Sequence, residues 1–363
     1  MHTVHPTLLI GPADWQPERM PKAEFFRRIE ALWQSCPAAS HALVCGDSRH
    51  HAELAYLTNF VPKLEPAVAL FSRTSEPRLF VGGGTNMLGA ARPLTWIAEV
   101  APLQELEHMR LSDCVRIGSG YLATALRKSV IEASGAREAA PDATAQLWKL
   151  IRRKSPVELA AIREACAVLR MAIAEIAAAK GRGLGVTKAV LAGESVANAH
   201  GAQDVRTLFS VNGGRTLVPF SELIERAVDP LAVYVAVRRF NYWVEGIAFL
   251  SCRPHAVAEK AASLLRSARA AIKAGTRAGD VARMIAAEAA PYRIHPVTIG
   301  LANSIGLALE EPPHTDVGAA FEAGEVYSLK VGLTDGAEQH AIVSAMIVVR
   351  KDGNDVLWPA QFD

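Results

Sequence analysis

Tyr234 and Glu245 are the residues of this 363-residue sequence whose types and spacing point first to chemistry. If residues 231–238 form a strand that reverses at Arg239-Phe240, the phenol and the carboxylate lie directly opposite each other on neighbouring strands, close enough to interact. Farther on, Tyr327, Leu329 and Val331 alternate with Ser328, Lys330 and Gly332, which places Lys330 on the face opposite the apolar one. Arg215, in a Gly-Gly-Arg-Thr loop, is a candidate to hold an anion. Glu310 and Glu311 stand ahead of two prolines, and His340 is the nearest imidazole to Ser344. Gly82-Gly83-Gly84-Thr85 lacks the lysine and the spacing of a phosphate or dinucleotide loop and reads as a strand-end turn.

The elements that must position these residues are visible in the helix signals and the strand periodicity. Ser155 as N-cap, Pro156 at the first helical position and Glu158 closing a capping box start a helix. Leu159, Ile162, Leu169, Ile173 and Ile176 carry it at helical spacing to a stop at Gly181-Arg182-Gly183. The run from Ala270 through Gly275 to Gly279-Asp280-Val281 reads as a helix, a glycine turn and a second helix start. Before these, residues 41–45, 67–71 and 77–81 read as buried strands, and residues 135–147, with Gly135, Pro141 and Asp142, as a linker.

In this order and spacing, the segments from residue 150 to the end resemble the creatinase, prolidase and aminopeptidase P family. They are the capped helix, Asn303-Ser304-Ile305-Gly306-Leu307 with Glu310-Glu311-Pro312-Pro313, and Ala323-Gly324-Glu325 leading into residues 326–330. Leu54-Ala55-Tyr56-Leu57-Thr58-Asn59-Phe60 is similar to the family's Tyr-Leu-Thr-Gly-Phe stretch. The resemblance implies an α+β protein of two domains: a small creatinase-type α/β domain over 1–145 and a pita-bread domain with a curved antiparallel sheet over 146–363. In the family two aspartates, a histidine and two glutamates hold two divalent ions. Carried over position by position, they fall on Tyr234, Glu245, Asn303, Lys330 and Ser344. The Gly-Tyr of the hairpin becomes Asn241-Tyr242, and two substrate-gripping histidines become Phe220 and Glu310. A lysine beside Glu245 puts one positive charge where two dications would sit, and the oxygen ligands left are too few for a dedicated site.

The resemblance therefore implies a metal-independent, creatinase-like hydrolase or lyase acting on a carbon–nitrogen bond of a small polar substrate, with no cofactor. Glu245 would be the base, with Lys330 and Tyr234 beside it. Asn303, Ser344, Glu310, Glu311, Arg215, Phe220 and Tyr242 would contact substrate. One alternative is a non-catalytic protein that keeps the cleft for a ligand. Another is a metallopeptidase with ligands relocated to Glu245, Glu310, Glu311 and His340. A homodimer follows from the resemblance, and symmetric dimers are the commonest oligomers. Half of the residues are hydrophobic, enough for a core in each of two domains, and the net charge of +2 argues against nucleic acid or membrane as partner. The five cysteines, Cys36, Cys45, Cys114, Cys166 and Cys252, are scattered without metal spacing, which fits reduced thiols in the cytoplasm.

Overall fold

The computed structural model describes residues 14–135, 141–212, 214–219, 223–295, 301–312, 318–336 and 339–359, the side chain of residue 85 aside. The chain divides into two compact units, Met1–Ile151 and Arg152–Asp363. The division lies a few residues beyond the expected boundary at 145. The expected linker ends in a helix, Thr144–Arg152, whose Leu147, Trp148 and Ile151 are buried.

The first unit carries α1 (Lys22–Ser35), β1 (His41–Gly46), α2 (Ala52–Thr58), β2 (Ala67–Ser72), β3 (Arg78–Val81), α3 (Thr85–Ala91), β4 (Glu99–Pro102), β5 (Cys114–Ile117), α4 (Thr124–Ala133) and α5 (Thr144–Arg152, which ends one residue into the second unit). Its five strands form one mixed sheet in the order β4-β3-β2-β1-β5. The continuous apolar runs of β1 and β2 suit central strands covered on both faces. Leu43, Cys45, Val68, Leu70 and Phe80 form a core there.

The second unit continues with α6 (Pro156–Gly181), α7 (Val186–Ala199), β6 (Asp204–Ser210), β7 (Leu231–Arg239), β8 (Tyr242–Leu250), α8 (Ala256–Ala271), α9 (Ala278–Glu288), β9 (Arg293–Ile294), β10 (Ala302–Ser304), β11 (Val326–Thr334), β12 (His340–Val349) and β13 (Asn354–Trp358). The capping box at the start of α6 is formed: Ser155 Oγ accepts from the Glu158 N–H, and the Glu158 carboxylate accepts from the Ser155 N–H. The expected apolar stripe of α6 is buried along its length. Gly193 of α7 lets the two helices close up, because a Cβ there would run into Ile176 and lie 2.7 Å from the Ala172 carbonyl. The antiparallel strands hydrogen-bond as two sheets, β6-β7-β8 and β10-β11-β12-β13, with β9 also on β11. One face of the larger sheet, including Leu329, Val331, Leu333, Ala341 and Ala345, packs on Leu264, Leu265, Val281 and Ile285 of α8 and α9. Among the described residues no helix is long and apolar enough to cross a membrane.

An ion pair sealed from solvent fixes the loop after β10. Lys154, just ahead of α6, places Nζ 2.7 Å from both oxygens of Glu311, and both side chains are 0% exposed. Ser304 Oγ donates to Glu311 Oε2 at 3.0 Å, and the Leu307 N–H to Oε1 at 3.0 Å. Gly306 sits where any Cβ would meet both charged ends, 2.5 Å from Glu311 Oε1 and 2.7 Å from Lys154 Nζ. Removing one member of such a pair strands the other charge in the interior. Glu311→Gln is therefore expected to lower unfolding free energy by about 3 to 5 kcal/mol, measured by urea denaturation.

Candidate functional site

The site grows from the β7–β8 hairpin. Its turn is Phe240-Asn241, with φ of 50° and 66°. Two successive left-handed residues are what a two-residue type I′ turn requires. The register therefore pairs Tyr234 with Ile247 and Ala236 with Glu245, rather than Tyr234 with Glu245. The expected reversal at Arg239-Phe240 is off by one residue, and the pairing by two. A slip of two keeps both side chains on the expected face. Tyr234 accordingly reaches Glu245 along the diagonal, its Oη donating to Oε2 at 2.7 Å.

Lys330 meets the same carboxylate from the other sheet. Its Nζ lies 2.7 Å from Glu245 Oε1 and also donates to Asn303 Oδ1 at 2.7 Å. Asn303, opposite Ser328 on β10, turns its amide nitrogen to the Leu309 carbonyl at 3.0 Å. Ser344 pairs with Lys330 across β11 and β12, and its Oγ accepts the Ile247 N–H at 2.6 Å. Alongside, the Glu245 N–H points at Met346 Sδ, 3.3 Å away. The five carried-over positions are thus neighbours in one region, where the β8 edge meets the face of β12.

The electrostatics follow from burial. Glu245 is 4% exposed at its side chain and Lys330 12%. Burial, then the Glu245 charge and the hydrogen bond to it, hold the Tyr234 phenol far above the usual tyrosine range. Tyr234 therefore stays protonated and acts as a donor. Two divalent ions do not fit this donor set. The one carboxylate among the five positions is contacted by an ammonium at 2.7 Å, and a phenol, an amide and a hydroxyl supply no compensating charge. Among the described residues no group of three or more His, Cys, Asp or Glu is arranged to hold a metal.

The remaining candidates separate. Glu311 is fully enclosed by Lys154, Ser304 and the Leu307 amide. It has no free face for a substrate, because its charge was needed for the interior pair. Tyr242 is 1% exposed and donates to Glu158 Oε1 at 3.0 Å, so its hydroxyl serves the α6 capping box rather than a cleft. Glu310 is exposed, and its charge is felt at Tyr234. Arg215 is exposed on the loop between β6 and β7, and Phe220 lies outside the described residues. His340 is partly buried at the start of β12. Sequence reasoning missed Lys154, whose position ahead of a helix cap carries no sign of burial. It also missed Ser328, on the Lys330 face of β11, whose hydroxyl is buried with no hydrogen-bond partner among the described residues.

A scan against protein-family models finds no match to the chain, and a search of curated proteins finds none either. Solved structures do match. The X-Pro aminopeptidase from Thermotoga maritima MSB8 superposes with a TM-score of 0.72 at 14% identity, covering 93% of this chain and 98% of that one. The prolidase from Pyrococcus horikoshii OT3 gives 0.72 at 15% identity, with 93% and 99% covered. Aminopeptidase P from E. coli with the inhibitor Pro-Leu gives 0.71 at 16% identity, with 95% of each chain covered. The fold is therefore the two-unit pita-bread fold of these peptidases, as the sequence resemblance implied.

Lys330→Met removes the cation from a buried carboxylate, and is expected to cost about 3 to 5 kcal/mol in chemical denaturation. Lys330→Met combined with Glu245→Gln should recover part of that loss, because the two residues are coupled. Additive losses would mean that the pair contributes nothing as a pair.

Proposed function

We propose that this chain is a non-hydrolytic binding protein built on the peptidase fold, taking up a small polar ligand at the Tyr234, Asn303 and Lys330 face without cutting it. One observation carries the reading: the carboxylate of Glu245 is already engaged, by Lys330 at Oε1 and by Tyr234 at Oε2. A general base needs a lone pair directed at the proton it removes and enough access for the water that carries it. Here the acid is almost fully buried: Lys330 Nζ lies 2.7 Å from Oε1 as an ion pair that makes no aligned hydrogen bond to it, and Tyr234 donates to Oε2. The metal-free hydrolase expected from the sequence would need Glu245 released from that network.

Binding makes a smaller demand. Tyr234, Asn303 and Lys330 all retain partial exposure, and Glu310 is exposed. The buried Ser328 hydroxyl on the Lys330 face has a hydrogen-bonding capacity that a polar ligand or a water can satisfy. The network would present its outer atoms to the ligand with little reorganisation, since each member is held by a neighbour. Relocated metal ligands gain no support: Glu311 belongs to the Lys154 pair, and Glu245 to Lys330. A homodimer and a cytoplasmic location belong to the same proposal and rest on the likeness to the peptidase family.

The test is a turnover screen of the purified protein on Xaa-Pro dipeptides, amidines, ureas and lactams, with binding followed in parallel by thermal shift. Stabilisation by one of these compounds with no product, with and without added Mn, Co or Zn, is the expected result. Turnover that Glu245→Gln abolishes would establish the hydrolase instead. Metal-dependent turnover would establish the peptidase.

A further inference from the structure

The sheet that carries Tyr234 and Glu245 has a third strand, β6, and one face of it is charged. Thr207 turns towards α7, where its hydroxyl donates to the Glu194 carboxylate. Asp204, Arg206 and Leu208 therefore point to the opposite side, because side chains alternate along a strand. The register pairs Arg206 with Ala236, Ala236 with Glu245, and Leu208 with Tyr234. Arg206 thus stands on the face of Tyr234 and Glu245, about 10 Å across the sheet from the β8 backbone. Trp243, two residues before Glu245, shares that face and pairs with Arg238.

The Arg206 side chain leans inward over the sheet. Its guanidinium carbon lies 4.6 Å from the centroid of the Trp243 ring, so the chain crosses Ala236 and ends on the strand of Glu245. Trp243 is 3% exposed, whereas Arg206 keeps 57% of its side chain in solvent. An aromatic ring beneath a guanidinium fixes its plane and leaves its N–H edges free to bond. One carboxylate meets it among the described residues: Nη2 donates to Asp204 Oδ2 at 3.4 Å, long for such a bond. Nε and Nη1 have no hydrogen-bond partner among the described residues. Around this face the cations Arg206, Arg238 and Lys330 are matched by the acids Asp204, Glu245 and Glu310; Glu222, His314 and Asp316 lie outside the described residues. A dianion would find no surplus cation here. A single carboxylate suits the one guanidinium whose donors are unspent.

We propose that Arg206 sets the specificity of this face for a small carboxylic acid, whose carboxylate lies on the guanidinium while its polar remainder meets Tyr234, Asn303 and Lys330. The inference rests on the binding reading above and narrows the ligand to one class. Two residues of β8, about 7 Å, separate Trp243 from Glu245, the length of a dipeptide or an N-acylated amino acid. The carboxylate gains charge-assisted bonds from Nε or Nη1. A neutral amide of the same shape forgoes them, and is the weaker ligand.

Titration calorimetry on the full chain tests this with N-acetylproline and N-carbamoylglycine, each beside its primary amide. At least one acid is expected to bind about tenfold more tightly than its amide. Arg206→Ala should weaken the acid by about that factor and leave the amide unchanged, and the exposed position should keep the urea midpoint of the parent. Tyr234→Phe should weaken acid and amide alike. Equal affinity for acid and amide, or an acid preference that survives in Arg206→Ala, overturns the role of Arg206 and leaves the binding reading standing. Binding of neither acid nor amide by the parent, or a Tyr234→Phe variant that binds both as the parent does, overturns the binding reading and this inference with it.

Discussion

A charge taken out of water must be met by an opposite charge or by a full set of hydrogen bonds, and the second unit meets this demand twice with lysine and glutamate. Lys154 and Glu311 are sealed completely, with a hydroxyl and a backbone amide completing the carboxylate. Glu245 and Lys330 are nearly sealed, with a phenol and an amide completing the pair. Neither pair need add much net stability compared with a well-packed apolar substitute. Each fixes geometry, because a buried ion tolerates few positions for its partner.

The two pairs fix different things. Lys154 to Glu311 ties the start of α6 to the loop after β10, and so sets where Ser304 and Asn303 stand. Asn303 then receives Lys330, and Lys330 reaches Glu245 on the neighbouring sheet. Beside that link, the Ile247 N–H on Ser344 and the Glu245 N–H on Met346 join the β8 edge to the face of β12. The polar network is therefore a seam between two sheets that, among the described residues, share no ladder of backbone hydrogen bonds. Apolar packing of Ile342 on Ala232 and Ile247 continues the seam towards His340.

The parts of this arrangement that were legible in the sequence are those written locally. The capping box of α6 needs only Ser155, Pro156 and Glu158, and the inward face of β11 needs only alternation. The hairpin register was not legible, because Phe240 and Asn241 adopt left-handed conformations without glycine to announce them. The error was harmless for the contact, since a two-residue slip preserves the face. Glu311 was misread for another reason: its partner Lys154 is 157 residues away in sequence, and nothing beside a helix cap marks a lysine as buried. Tyr242 was misread in the same way, because its tie to Glu158 spans 84 residues. The resemblance picked out positions that cluster in the fold; long-range charge pairing decided which of them remain open.

The same constraint limits the chemistry that the fold can carry. A carboxylate at position 245 can serve as counter-ion to Lys330 or as a base for a substrate, but the ammonium beside it stabilises its charge and the 4% exposure of its side chain leaves a reacting water little approach. Tyr234 cannot relieve this, since a phenol donating to a buried carboxylate is held protonated, and ionising it would set two negative charges side by side. Nor can Lys330 turn outward cheaply, because its departure would leave Glu245 uncompensated in a site that little water reaches. On the proposed reading, a protein that keeps this seam intact recognises a ligand by its outer atoms, and turnover would have to begin by breaking one of the contacts that join the two sheets.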